Sequence, residues 1–380
     1  MIETWCFFFC LGLLVYVYLI YPSIIIILGS LRKREIEPRW TELPAVSMIF
    51  SALNEEENIA QKLENALSQD YPADRLDVIV VNDGSTDNTG DIIKGFDSDR
   101  ITLIQHEVMR GKTAALNQAV QVVKGDVIVF TDANAMFNPD AVRQLTNAFD
   151  SEGKIGVVCG EPRYRKHPRA HSDEESLYWK MEILLKKAES NLGALLGANG
   201  PIYAMLKNLY IPLGEDIISD FISPLLLSEQ GYHNVYQPEA ISIESSTRNL
   251  QSDFRRKKRI IQRSLYSLRI HKRLLNPLSS GWLALQLWSH KVLRWFTPVW
   301  LLGVLISTGL LRDITFYNML FIIQIIGYAV GSIGVLLQII GKSPGIFRFP
   351  AYVVMLLGAS LSGIGGAISG KTMVTWEPQR

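Results

Sequence analysis

Four uncharged stretches dominate the hydrophobic pattern: Thr4 to Leu31, Trp295 to Leu311, Ile314 to Gly341 and Phe349 to Gly370. A helix needs about 20 apolar residues to cross a bilayer. Three of the four stretches reach that length. The Trp295 stretch is shorter and holds Pro298, which suits a kinked span or a re-entrant segment. Buried core helices are the competing reading, but three long uncharged runs are hard to hide in a soluble core. The first stretch does not read as a cleaved signal peptide: Glu3 precedes it, no basic side chain does, and the run is too long.

Between the first and second stretches the pattern shortens. Val46 to Phe50, Val78 to Val81, Ile101 to Ile104 and Val127 to Phe130 are apolar, β-branched runs suited to buried parallel strands. Asn54 to Leu67, Thr89 to Phe96 and Lys112 to Val123 carry helical spacing. This alternation predicts an α/β, doubly wound, mostly parallel sheet. In such sheets ligands bind beyond the carboxyl ends of the strands. The polar loops at Ser51, Asp83 and Asp132 each follow a strand and are expected to share one crevice. A simple turn would also account for Asp83-Gly84-Ser85; three polar loops on one sheet edge argue for a site.

Charge adds orientation. The net charge is +1, so no global field favours nucleic acid, and no nucleic-acid partner is expected. Arg32, Lys33 and Arg34 follow the first stretch, and a basic cluster from Arg255 to Arg273 precedes the second. The positive-inside rule places both, with everything between them, in the cytosol. Three C-terminal spans would then leave both termini outside, with Lys342 and Arg348 inside and Arg312 outside. The expected organisation is a transmembrane helix over 1–31, a cytosolic domain over 32–273, an interfacial segment over 274–294 and a transmembrane region over 295–380. Trp288, His290, Lys291, Arg294 and Trp295 interleave with apolar residues, as in an interfacial helix. Gly363 to Gly370 is rich in small residues, which permits close helix packing. Cys6, Cys10 and Cys159 form no disulfide framework or metal spacing.

Four motifs then stand in order: Ser51-Ala52-Leu53-Asn54-Glu55-Glu56, Val81-Asn82-Asp83-Gly84-Ser85-Thr86-Asp87, Arg110-Gly111-Lys112 and Asp132-Ala133-Asn134. Together they resemble the motifs of glycosyltransferase family 2, in its membrane-bound form. The resemblance runs from about Val46 to about Arg273. It implies a GT-A fold, a nucleotide-sugar donor, inverting chemistry and a bacterial cytoplasmic membrane as the location. Membrane-bound members build surface polysaccharides and glycolipids, which implies a lipid-linked or polysaccharide acceptor at the bilayer.

A nucleoside diphosphate leaves poorly unless its developing charge is neutralised, and Mg²⁺ or Mn²⁺ held by oxygen ligands does this. Asp132 matches the first acidic position of the family's DxD motif. Asn134 stands where many members have a second Asp; it keeps an oxygen ligand but loses a charge, and an ordinary loop role stays open for it. Asp83 matches the position that contacts the base, and Ser51, Asn54 and Glu55 lie on the same donor side. Lys112, at a helix start, suits a diphosphate, and a solvated lysine is the alternative.

On the acceptor side, Asn199 and Gly200 lie in the small-residue segment Gly197 to Ala204 that resembles the family's. Asp220 stands about a dozen residues before Gly231-Tyr232, the family's spacing for the general base. Glu215 and Asp216 compete for that role, and a helix N-cap competes as a role for Asp220. Arg255-Arg256-Lys257-Lys258-Arg259-Ile260 lies where processive members carry QxxRW, and only Arg259 matches. The missing Trp points away from long-chain synthesis, while the charges also suit anionic headgroups. A processive synthase, a non-catalytic scaffold and a nucleotidyltransferase are the alternatives; the last lacks its glycine-rich signature.

Overall fold

The first apolar stretch forms helix α1 (Ile2–Val15), a π-helical turn (Tyr16–Ile20) and helix α2 (Tyr21–Leu31) in direct succession in a computed structural model. The structure describes residues 1–32, 37–165, 173–245 and 250–370. Lys33 and Arg34 of the first basic cluster lie outside the described residues.

Strands and helices then alternate as the pattern predicts: β1 (Val46–Ala52), α3 (Ile59–Leu67), β2 (Leu76–Asp83), α4 (Thr89–Lys94), β3 (Ile101–His106), α5 (Lys112–Gln121) and β4 (Val127–Thr131). After these come β5 (Ala135–Phe137), α6 (Ala141–Asn147), β6 (Ile155–Arg165), α7 (Asp173–Asn191), β7 (Ile202–Leu206), α8 (Ser219–Glu229) and β8 (His233–Ser245). They build one sheet of eight strands in the order β3-β2-β1-β4-β7-β6-β8-β5. The first four strands in that order run parallel. β7 reverses against β4 and β6, β6 runs parallel to β8, and β5 pairs antiparallel on β8.

The continuous apolar runs of β1, β2 and β4 follow from coverage on both faces. Met48, Phe50, Val78 and Val80 point into one core with Ile59 and Leu63 of α3 and Leu145 of α6. Ile49, Ile79, Val81 and Ile128 point into the other with Ala115, Leu116 and Ala119 of α5. Each such side chain contributes about 1.5–3 kcal/mol on burial. The register pairs Ala52 with Asn82 and Asp83 with His106. Ile49 pairs with Phe130, so Ser51 is level with Asp132 when that register is extended. The three polar loops therefore leave the same edge of the sheet.

Two expectations about helix starts do not hold. The helix expected from Asn54 begins at Ile59, because Asn54 adopts a φ of 53° and bonds with the loop after β2 instead. The N-cap role weighed for Asp220 does not hold either, because α8 begins at Ser219 and Asp220 lies inside its first turn.

The remaining elements are helical: α9 (Leu250–Ile270), α10 (Pro277–Leu287), a π-helical turn (Trp288–Val292), α11 (Leu293–Trp295), α12 (Thr297–Leu310), α13 (Thr315–Ile339) and α14 (Arg348–Ile368). The chain divides into a helical unit, Met1–Ile25 with Arg248–Thr372, and an α/β unit built on Ile26–Thr247. Among the described residues three helices are long and apolar enough to cross a membrane: Ile2–Leu31, Thr315–Ile339 and Gly345–Ile368. The Trp295 stretch is the exception. Pro298 sits in the first turn of α12, and the chain bends by 61° between Pro277–Trp295 and Thr297–Leu310. Within this unit α9 lies alongside α14. A Cβ on Gly363 would meet Ile261 and the Lys258 carbonyl at 3.0 Å, and one on Gly366 would meet Gln262 at 2.4 Å. The small-residue run thus accepts the basic helix, and the two run in the same direction.

Candidate active site

Asp83 ends β2 and is 1% exposed. One of its oxygens accepts the Arg110 N–H at 2.9 Å and the His106 Nδ1–H at 2.8 Å, and the other accepts the Gly111 N–H at 2.8 Å. His106 is itself held by the Gln118 side chain. The carboxylate therefore fastens the 110–111 loop to the strand end. Gly111 is the N-cap of α5, so the same bonds set where that helix begins and place Lys112 as its first residue.

A second set of bonds ties the loop after β1 to the loop after β2. The Asn54 N–H donates to Ser85 Oγ at 2.9 Å, and Asn54 Oδ1 accepts the Thr86 N–H at 2.8 Å. The Glu55 N–H donates to Thr89 Oγ1 at 2.8 Å, while its carboxylate accepts Asn58 Nδ2 at 2.8 Å. Burial raises the Glu55 pKa; the Asn58 bond opposes this and the charges of Asp132, Asp87 and Glu57 add to it. Ser51 is buried at the end of β1.

Lys112 Nζ donates to Asp132 Oδ1. Burial alone would lower the Lys112 pKa, but the charges of Asp132 and Asp220 outweigh it, and the net shift is upward. Asp220 comes to this point from the far side of the fold. Pro224, four residues on, has no N–H to give the Asp220 carbonyl. That carbonyl accepts the Ala198 N–H at 2.7 Å instead. The bond docks the 197–200 segment on the first turn of α8. A Cβ at Gly200 would then lie 2.5 Å from Asp220 Oδ2 and 3.6 Å from Lys112 Nζ. The N-cap of α8 is Ile218, so Asp220 does not serve as the cap.

Lys112, Asp132, Gly200 and Asp220 thus converge. Asn199 is beside them, but its side chain is engaged: Nδ2 donates to the Gly160 carbonyl at 2.7 Å, and Lys186 Nζ lies 3.5 Å from Oδ1. Asn134 is exposed on the turn after Asp132. Arg259 lies on α9 of the helical unit, not in the α/β unit with the others. Glu215 lines a surface cleft with Arg110 and Asn117. Asp216 turns back on its own loop, 3.2 Å from a Cβ at Gly214.

Two buried charges stand here without a signal in the motifs. Lys62 of α3 is fully buried, donates to Thr131 Oγ1 at 2.9 Å and also donates to the Ala135 carbonyl. Burial pushes its pKa down to about 7, against the charges of Asp132 and Glu244. Glu244 is buried on β8, directly paired with Ala135. A signal for Lys62 was present: with Ile59, Leu63 and Ala66 it completes the apolar stripe of α3. Glu244 had none: the alternation of Ile241 and Ile243 suggests that the isoleucines face inward, whereas β8 buries Ser242 and Glu244.

Among the described residues no three His, Cys, Asp or Glu side chains come together as a metal cage. At the sequence's Asp132-Ala133-Asn134 motif the described residues offer the Asp132 carboxylate, with one oxygen committed to Lys112, and the exposed amide of Asn134. That donor set fits an ion held mainly by substrate phosphates, as Mg²⁺ and Mn²⁺ often are, with one or two protein oxygens.

Residues 47–206 match the family model for glycosyl transferase family 2. That segment is similar to the family 2 glycosyltransferases. Its curated relatives include the poly-β-1,6-N-acetyl-D-glucosamine synthase of Staphylococcus aureus, 27% identical over 206 residues, which are 53% of this chain and 50% of the relative. The synthase of the same name from Staphylococcus epidermidis is 26% identical over 241 residues, 59% of this chain and 58% of the relative. The chain therefore spans about half the length of the curated relatives it matches. A mannosyltransferase from Pyrobaculum calidifontis, solved with GDP-Man and Mn²⁺, superposes with a TM-score of 0.71 at 20% identity, over 95% of this chain and 98% of its own. The α/β unit thus has the GT-A type of fold, and apolar helices stand toward both ends of the chain.

Two outcomes follow for the α/β unit. Asp83→Asn would turn an amide N–H₂ toward donors already in place, so it is expected to destabilise the domain by about 1–3 kcal/mol, read by chemical denaturation. Lys62 supplies a pH dependence. An unfolded lysine titrates near 10.4, and the buried one at about 7. Between those values the unfolded chain binds more protons, so stability should rise with pH from about 7 towards 10. Thermal unfolding of the parent against Lys62→Met checks this, since the variant should lose that rise.

Proposed function

We propose that this chain is an inverting glycosyltransferase that moves a sugar from a nucleotide-sugar donor, of the UDP-sugar kind, to a membrane-associated lipid-linked or polysaccharide acceptor. The observation that carries the reading is the meeting of Lys112, Asp132 and Asp220 around the side-chain-free Gly200 at the carboxyl edge of the parallel strands. The similarity to family 2 and the synthase relatives support the same reaction class. In this reading the donor lies along the loops of Ser51, Asn54, Glu55 and Asp83, and Asp83 acts on the base through the 110–111 loop that it fastens. Lys112 and the N-terminal N–H groups of α5 face the diphosphate. Asp132 and Asn134 would hold Mg²⁺ or Mn²⁺, which when bound offsets the charge of the leaving diphosphate.

Asp220 takes the proton of the acceptor hydroxyl as its oxygen attacks the anomeric carbon. The bond from that carbon to the diphosphate oxygen breaks, and its electron pair leaves with the nucleotide. Gly200 and Asn199 shape the acceptor side. The basic residues flanking the apolar helices support a cytosolic orientation of the α/β domain in a bacterial cytoplasmic membrane. The absence of Trp at Ile260 favours addition of one sugar, or few, over a long polymer.

A panel of labelled nucleotide sugars offered with Mn²⁺ or Mg²⁺ and membrane lipid extracts tests the reaction; no transfer and no donor hydrolysis under any metal condition would sink it. Asp220→Asn is expected to cut transfer by about 10²–10⁴-fold while donor affinity stays close to that of the parent. A variant as active as the parent would shift the base to Asp216 or Glu215.

A further inference from the structure

The turn that carries Asp132 is held from beneath by a residue outside every motif. Asp132 opens a tight turn closed by the Ala135 N–H on its own carbonyl at 3.1 Å. Lys62 Nζ spans that turn, donating to Thr131 Oγ1 at 2.9 Å just before it and to the Ala135 carbonyl at its end. One turn further along the same face of α3, Asn65 Nδ2 donates to the Phe137 carbonyl at 2.8 Å, and Asn65 Oδ1 accepts the Phe137 N–H at 2.7 Å. Helix α3 therefore grips the chain from 131 to 137 at both ends. The ammonium also lies 4.5 Å from the centre of the Phe137 ring and 5.6 Å from that of Phe50.

Burying an ammonium costs several kcal/mol even after relaxation. An apolar residue would complete the stripe of Ile59, Leu63 and Ala66 without that cost. The cation is therefore explained by what it does at the turn: it ties the turn's two ends and faces the charges of Asp132 and Glu244.

We propose that Lys62 is a positioning residue that holds the Asp132 turn in the geometry needed to share a divalent cation with the donor diphosphate. This rests on the nucleotide-sugar reading above and adds a residue to it. Groups behind a ligand that fix its orientation typically change metal affinity by about 10–100-fold when removed.

The test measures binding rather than turnover. Calorimetry on the detergent-solubilised full chain compares UDP or GDP binding with and without Mn²⁺, for the parent, Lys62→Met and Thr131→Val. The second variant removes one anchor of the ammonium and decides the matter if Lys62→Met does not fold. The expected result is a loss of about 10-fold or more in Mn²⁺-dependent nucleotide affinity, with metal-free nucleotide affinity close to the parent's and a thermal midpoint no lower than the parent's. Parent-like Mn²⁺ dependence in folded variants overturns the positioning role alone. An equal fall in both affinities together with a lower thermal midpoint also overturns it, leaving a structural lysine. A parent that binds neither nucleotide under any condition overturns the donor reading as well.

Discussion

A single buried carboxylate, that of Asp83, sets the geometry from which the rest of the site follows. It gathers two main-chain N–H groups and an imidazole at the end of β2. Because those N–H groups belong to the residues just before α5, the bonds fix both the position and the direction of that helix. Lys112 inherits its place from them, and Asp132 is then reached across the sheet edge. Charge-assisted bonds of this kind are about twice as strong as neutral ones. A short polar loop can therefore hold a helix end where apolar packing alone would leave it free to slide.

The other half of the site depends on a missing bond. Pro224 withholds the N–H that would complete the first turn of α8, and the Asp220 carbonyl turns outward to the 197–200 segment. The acceptor-side glycine segment and the proposed base thus come together through the main chain, whatever their side chains do. The two halves also differ electrostatically. Asp83 is sealed by donors, whereas Asp132 and Asp220 both lie under the influence of Lys112.

Much of this was legible from the chain. The β-branched runs ending in polar loops gave the parallel strands and the common edge, because strand burial on both faces leaves a continuous apolar signature. Asn54 was misread as helical since its spacing fits a helix, and only the cross-loop bonds to Ser85 and Thr86 hold it at positive φ. Lys62 and Glu244 escaped for a related reason. Their partners are distant in sequence, so their significance emerges only when β5 is laid against β8 and α3 beneath both. The bend before α12 was legible from Pro298: the chain turns by 61° there, at the helix start that the proline occupies.

The side-by-side course of α9 and α14 bears on how the protein is made. Residues Leu250–Ile270 leave the ribosome long before Arg348–Ile368, their packing partner. At about 5–20 residues per second, the interval is on the order of ten seconds. The α/β domain is complete at the start of that wait, whereas α9 must keep the face that will meet Gly363 and Gly366 exposed throughout. The waiting face carries Gln262 beside Ile261, so the surface that α14 leaves uncovered in that interval is not wholly apolar.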